Sequence, residues 1–389
     1  MPVLLAVVLL LGLSCTLAQH PQTVLAALPL DGLRLVRLDP TAPPQWLSRN
    51  ERREIKASGV FFKDITDRQD FEFKAALDRR SALSPFPTPN STIVHRIISY
   101  IDSSHAEGHI NHLTSLWTRW CESDTGREAS DYLYEVLRSY VDLAPEVSGR
   151  DIHLLKVEHA FKQYSLVLRI ASQTAQDDGT HKVAIVGAHL DSASRFGDFE
   201  RAPGADDDAS GTATVLEAAR LLLRSGYVPA RGRAVEMHLN AGEEAGLLGS
   251  QDIAQRWYEK GVRVRGMLQL DMTAWVADKE NEHIGITMSR DRELGEFNKR
   301  LVDRYLDIPW IEEYTYPYYA SDSASWGDMP YPCSDALEGT WAETRGHRVH
   351  TEDDNTEHKE YSFRHMMQFV VSFVKLAVAF LVELGGEAA

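Results

Sequence analysis

Three short tracts of this chain combine imidazole and carboxylate side chains at the ends of apolar runs. His189-Leu190-Asp191 follows Lys182–Val186, KVAIV. Asn240-Ala241-Gly242-Glu243-Glu244 follows Ala234–Leu239, AVEMHL. Gln269-Leu270-Asp271-Met272 closes Met267–Leu270, MLQL. Between the first two lies Ala202-Pro203-Gly204-Ala205-Asp206-Asp207-Asp208-Ala209-Ser210-Gly211. Carboxylates and imidazoles without cysteine suit a hydrolytic divalent-metal centre, most often zinc, with manganese or cobalt also compatible. Two such ions about 3.5–4 Å apart can share one carboxylate and hold a water between them. The Asp206–Asp208 triplet can supply that bridge. A single acidic pair at a strand end is usually a solvated loop, so the ordered set carries the argument.

The elements that must position these residues read as alternating strands and helices. The β-branched runs Lys182–Val186, Ala234–Leu239, Met267–Leu270 and His283–Met288 predict strands. Gly211–Arg224, Ala245–Tyr258, Arg292–Leu306 and the upstream Arg127–Val141 have helical spacing. Such alternation implies an α/β fold, with a mostly parallel twisted sheet sandwiched by helices. Ligands of such sheets bind at the carboxyl ends of the strands, where all three tracts fall. The C-terminal Tyr361–Leu384 is strongly apolar but contains His365, Gln368 and Lys375, which predicts a docking helix rather than a membrane span. His238 lies inside a predicted strand and reads as a packed or surface imidazole.

The 389 residues are 43% hydrophobic and 25% charged, the composition of a folded globular chain. The net charge of −16 argues against a nucleic-acid partner. Residues 3–13, VLLAVVLLLGL, with Thr16-Leu17-Ala18 after them, read as a signal peptide spanning 1–18, which predicts a secreted, extracellular protein without stable membrane insertion. Beyond it remain Cys121 and Cys333, which either pair or stay as buried thiols. Asn90-Ser91-Thr92 is an N-glycosylation sequon at the edge of a Pro-rich stretch, expected on a surface loop. Residues 19–85 carry a net charge of +2 against −18 for the rest. They end near the dibasic Arg79-Arg80 and Ser84-Pro85-Phe86-Pro87. This reads as a propeptide, cut as early as after Arg80, preceding a domain over 86–389.

The ordered set H-x-D, G-A-D-D-D-A-S-G, E-E and L-D-M resembles the M28 family of zinc aminopeptidases, and most closely its secreted leucine aminopeptidases of bacterial and fungal type. The resemblance spans about residues 90–385. Upstream, Trp46, Glu54-Ile55-Lys56 and Gly59–Asp67 are similar to the fungal propeptide. The resemblance implies a zinc-exopeptidase-like fold and two zinc ions per chain. It assigns His189, Asp207 and Asp271 to one ion. Asp207, Glu244 and His350 take the other, with Asp207 bridging. His350 is chosen over His347 and His358 because His350-Thr351-Glu352-Asp353-Asp354 matches the family's H-T-x-x-D pattern. Asp191 would orient the His189 imidazole. Glu243 would be the general base, taking a proton from the attacking water and passing it to the leaving amine. The Asp207–Asp208 peptide bond would be cis.

The region Tyr314–Trp326 resembles the family's substrate-facing loop but departs from it. The family histidine is Ser323, the local cysteine pair falls on Tyr316 and Ala320, and a carbonyl-polarising tyrosine falls on Tyr318. The implied activity is removal of leucine or another hydrophobic residue from the free N-terminus of peptides by a monomeric enzyme, held in check by its own propeptide. The metal ligands alone also fit a glutaminyl cyclase, a carboxypeptidase or a non-catalytic ectodomain. The propeptide resemblance and the unbroken set of five ligands favour the aminopeptidase.

Overall fold

The computed structural model describes residues 30–68, 85–173, 182–275, 282–344, 348–357 and 363–388. The proposed signal peptide, the Arg79-Arg80 junction, His347 and His358 lie outside the described residues.

An eight-stranded sheet forms the centre. Along the chain its strands are β4 (Arg150–Val157), β5 (Ser165–Ser172), β6 (Lys182–His189), β7 (Arg233–Asn240), β8 (Arg263–Leu270), β9 (Ile284–Thr287), β10 (Trp310–Glu313) and β11 (Cys333–Leu337). Their spatial order is β10-β9-β11-β8-β6-β7-β5-β4. The three strands that precede the acidic tracts, β6, β7 and β8, are mutually parallel neighbours. His189 stands opposite Asn240 in that register, so the tracts emerge together at one sheet edge. The β4–β5 hairpin extends the sheet antiparallel to β7, a feature the strand–helix alternation did not predict.

Side chains alternate along β6, and each face is sealed separately. Ala184 and Val186 belong to a large core with Leu216 and Leu221 of the helix Gly211–Arg224 and Phe373 and Phe380 of the helix Phe363–Gly385. Val183 and Ile185 face Ile253 and Trp257 of the helix Leu248–Glu259. Each fully buried large apolar side chain contributes about 1.5–3 kcal/mol. The C-terminal helix is therefore a docking element, and no helix among the described residues is long and apolar enough to cross a membrane. His238 is fully buried and bonds Glu236 across 2.8 Å. Cys121 and Cys333 are separate buried thiols.

Residues 30–68 build a small unit of their own. Strands β1 (Arg34–Arg37), β2 (Gln45–Leu47) and β3 (Lys63–Asp64) form an antiparallel sheet around Val36, Leu47 and Phe62. The helix Arg49–Ala57, here α1, starts at Ser48, whose hydroxyl accepts from the Glu51 N–H while the Glu51 carboxylate accepts from the Ser48 N–H. The unit rests on the main body through Arg49–Asp198, Lys63–Asp328 and Arg68–Asp252 ion pairs.

Candidate metal centre

The five predicted ligands converge. His189 is the last residue of β6, Asp271 directly follows β8, and Glu244 sits in the turn after β7. Asp207 lies in the irregular segment 205–210 that leads into the helix Gly211–Arg224, with backbone angles outside the helical range. The Asp207–Asp208 peptide bond is cis. His350 comes from a surface loop and has a φ of 60°.

The donor atoms form two groups joined at Asp207. His189 Nε2 lies 3.0 Å from Asp207 Oδ1 and 3.5 Å from Asp271 Oδ1. His350 Nε2 lies 3.0 Å from Asp207 Oδ2 and 3.1 Å from Glu244 Oε2. Both groups have the composition and spacing of metal-ligand sets. Ligands about 2.0–2.1 Å from a tetrahedral ion stand roughly 3.3–3.4 Å apart. The separations here, 3.0–3.5 Å, bracket that edge. Glu244 Oε1 and Asp271 Oδ1 are buried without a hydrogen-bond partner in the protein, as donors aimed at a cation would be. The residues present therefore fit two ions of the zinc class.

Two glycines make the bridging turn possible. A Cβ at Gly204, whose φ is 54°, would stand 2.4 Å from the Asp207 carbonyl oxygen. One at Gly211 would meet Asp208 Oδ1 and the Leu270 carbonyl oxygen, each at 2.4 Å. Glycine at each end of the G-A-D-D-D-A-S-G tract thus lets the turn press against β8.

Glu243 and Glu244 have opposite electrostatic surroundings. Burial pushes the Glu243 carboxyl well above its usual range, and the neighbouring Glu244 adds to that. Burial would raise Glu244 too, but His350 and Lys56 draw it down to about 2. The two neighbouring carboxylates thus differ, Glu244 held ionised and Glu243 biased toward the protonated form.

Asp191 faces the His189 ring, its Oδ1 3.6 Å from Nδ1. Its two oxygens also accept the backbone N–H groups of Glu243 at 3.0 Å and Glu244 at 3.1 Å. It therefore pins the acidic pair to the end of β6. The Tyr318 hydroxyl donates to Asp328 Oδ1 at 2.9 Å, and Arg290 lies over its ring. The buried tyrosine with Asp271 and Glu243 as charged neighbours is Tyr316, two residues earlier. The sequon residue Asn90 is exposed, and its backbone N–H bonds Glu383.

Three supporting residues escaped the sequence reading. Asp354 accepts the N–H groups of Asp206 at 2.8 Å and Asp207 at 3.0 Å, fixing the bridge from the His350 loop. Arg119, fully buried, donates to the carbonyls of Leu190, Pro203 and Gly204, tying the first tract to the bridging turn. Glu338 accepts the N–H groups of Ala274 and Trp275 beyond Asp271. Only the D of H-T-x-x-D offered a signal for any of them.

The parallel-centred α/β sheet thus carries five converging imidazole and carboxylate donors at the carboxyl ends of its strands. Residues 169–374 match peptidase family M28. The chain is 34% identical over 353 residues to leucine aminopeptidase 1 of Penicillium rubens, covering 87% of each. It is 35% identical over 364 residues to leucine aminopeptidase 1 of Grosmannia clavigera, covering 90% of this chain and 85% of the relative. The LapA aminopeptidase of Legionella pneumophila superposes with a TM-score of 0.74 at 24% identity, over 93% of this chain and 95% of that one. LapB of the same organism gives 0.72 at 25% identity, over 90% and 95%. The chain belongs to peptidase family M28. It is an enzyme, a hydrolase of the aminopeptidase kind.

Proposed function

We propose that the chain is a secreted dinuclear-zinc aminopeptidase that removes leucine or other hydrophobic residues from the free N-terminus of peptides. The observation that carries this is Asp207, whose two oxygens each lie 3.0 Å from a different imidazole. His189, Asp207 and Asp271 would hold one ion, and Asp207, Glu244 and His350 the other. Bound zinc supplies Lewis acidity toward the scissile carbonyl and lowers the pKa of water.

The chain's own groups do the rest. Glu243 takes a proton from the attacking water and delivers it to the departing amine, the role its raised proton affinity suits. Asp191 keeps Glu243 at its station through the backbone. The carboxylates attract the substrate ammonium, which selects free N-termini. Tyr316 sits beside Ala320 and Leu337, whose apolar surfaces suit a hydrophobic side chain. Residues 1–18 act as a signal peptide, Asn90 as a glycan acceptor, and 19–85 as a propeptide that keeps the domain 86–389 latent until trimmed.

The test is a panel of aminoacyl anilides, with and without chelator, before and after N-terminal trimming. Leucine anilide is hydrolysed by trimmed enzyme, chelator abolishes the rate, and N-acetyl-leucine anilide is inert. Equal rates on the acetylated substrate would make the enzyme an endopeptidase or amidase.

A further inference from the structure

The N-terminal unit places one cationic side chain directly on the second donor set. Lys56, in the last turn of α1, donates from Nζ to the Glu244 carbonyl oxygen at 2.7 Å and to Glu244 Oε2. That carboxylate oxygen is the one facing His350 Nε2 at 3.1 Å. Lys56, Glu244 and His350 line one cleft, together with Arg49 and Trp120. His189 and Asp271 lie deeper and are engaged within the β6–β8 edge and its bridging turn.

Lys56 is held in this place from both sides. Upstream, Arg49 pairs with Asp198 at 2.6 Å. Downstream, the Asp64 N–H donates to the Gly246 carbonyl, two residues beyond Glu244. Phe61, next to the cleft-lining Phe62, packs against two apolar clusters of the main body. It packs with Leu247, Tyr318 and Tyr319 on one side and with Tyr316, Ala320 and Trp341 on the other. Its ring meets Trp341 edge-on at 5.4 Å between centroids. Only four residues, 57–60, thus separate an apolar anchor from a cation seated on a proposed ligand carboxylate.

With a lysine ammonium on Glu244 Oε2, a divalent ion at that carboxylate faces a second cation across it whichever oxygen it takes, and the two repel strongly. The two charges would be separated by little more than one carboxylate, with little water between to screen them. Resting on the dinuclear reading above, we infer that Lys56 is an internal competitor for the second metal. The untrimmed chain takes one ion tightly at His189, Asp207 and Asp271. Its second ion binds weakly until the N-terminal unit withdraws Lys56 from Glu244. Latency then includes an incomplete metal centre as well as a covered cleft.

Titration of Co²⁺ into the metal-free, untrimmed chain tests this, read by calorimetry and by the visible absorption of each bound ion. A site blocked for 90–99% of the time loses about 10–100-fold in apparent affinity. The wild-type chain therefore shows one tight ion and a second weaker by that factor than in Lys56→Gln. Lys56→Arg, which keeps the charge, behaves like wild type. Phe61→Ala leaves Lys56 in place but loosens its anchor, and moves the second ion in the same direction by a smaller factor. Equal second-ion affinity in wild type and Lys56→Gln overturns the inference. If Lys56→Gln and Phe61→Ala both bind a single ion while trimmed enzyme also binds one, the dinuclear reading itself is what has failed.

Discussion

The two donor sets share Asp207 but are built from different material. His189 and Asp271 sit at the ends of adjacent parallel strands, and the His189 side chain is 1% exposed. His350 is carried by a loop, at positive φ, with its side chain 11% exposed and a lysine from another unit beside its partner Glu244. The sheet-borne set is fixed by the same hydrogen bonds that make the fold. The loop-borne set is fixed by a few added contacts, chiefly Asp354 on the bridging turn and the Arg195 N–H on the His350 carbonyl. One half of the centre is therefore a by-product of folding, and the other half can be changed without unfolding the protein.

The largest effect belongs to Glu243, the proposed general base. Glu243→Gln in trimmed enzyme keeps both ions and loses about 10²–10⁴ in turnover, the range for a missing general base. Metal analysis alongside steady-state kinetics checks this. Loss of an ion in that variant would make Glu243 a ligand and swap the roles of the acidic pair.

The comparison sharpens when one imidazole is removed from each half. His189→Ala strips a buried partner from Asp207 and Asp271 and destabilises the fold by about 3–5 kcal/mol. His350→Ala acts on a loop and costs about 1 kcal/mol or less, while abolishing binding of the second ion. Chemical denaturation of the metal-free proteins separates the two cases. Equal destabilisation would erase the distinction between sheet-borne and loop-borne ligands.

Asp354→Ala tests how the loop is coupled to the bridge. It removes two backbone hydrogen bonds to a charged acceptor, worth about 1.5–3 kcal/mol each at most. The expected result is weaker binding of the second ion with smaller change at the first, read by metal titration. A variant with both affinities intact would show that Asp354 is a spectator.

How far this arrangement was legible follows the same division. The sheet half announced itself, because β6, β7 and β8 are apolar runs ending abruptly in donors, and the helices Gly211–Arg224 and Leu248–Glu259 keep their period around buried faces. The edge strand β4 did not, since Arg150–Val157 is half exposed and mixes charged with apolar residues. His350 was chosen by resemblance, as a loop imidazole among fifteen histidines has no periodic signal. Arg119 serves backbone carbonyls, which every residue has, so no residue type elsewhere betrays it. Tyr316 and Tyr318 are separated by two positions, and only the packing of the loop decides which one turns inward.

The smallest effect lies outside the centre. His109 bonds the hydroxyls of Tyr132 and Tyr140, each at 2.8 Å, and burial pulls it down to about 4. Its folded pKa is below its unfolded value, so the unfolded chain binds the extra proton. This contribution is complete above about pH 6.5 and is lost as pH falls toward 4. Denaturation midpoints across that window should slope more in wild type than in His109→Gln. Parallel slopes would mean that this histidine does not titrate on unfolding.

The shared bridge is tested most directly by counting metal in trimmed Asp207→Asn against trimmed wild type. Wild type should carry about two zinc-class ions per chain, as two carboxylate–imidazole sets require. The substitution takes the charged bridge from both sets at once, so both ions should weaken together and activity should fall with them. Two tightly held ions and full activity in Asp207→Asn would contradict the account.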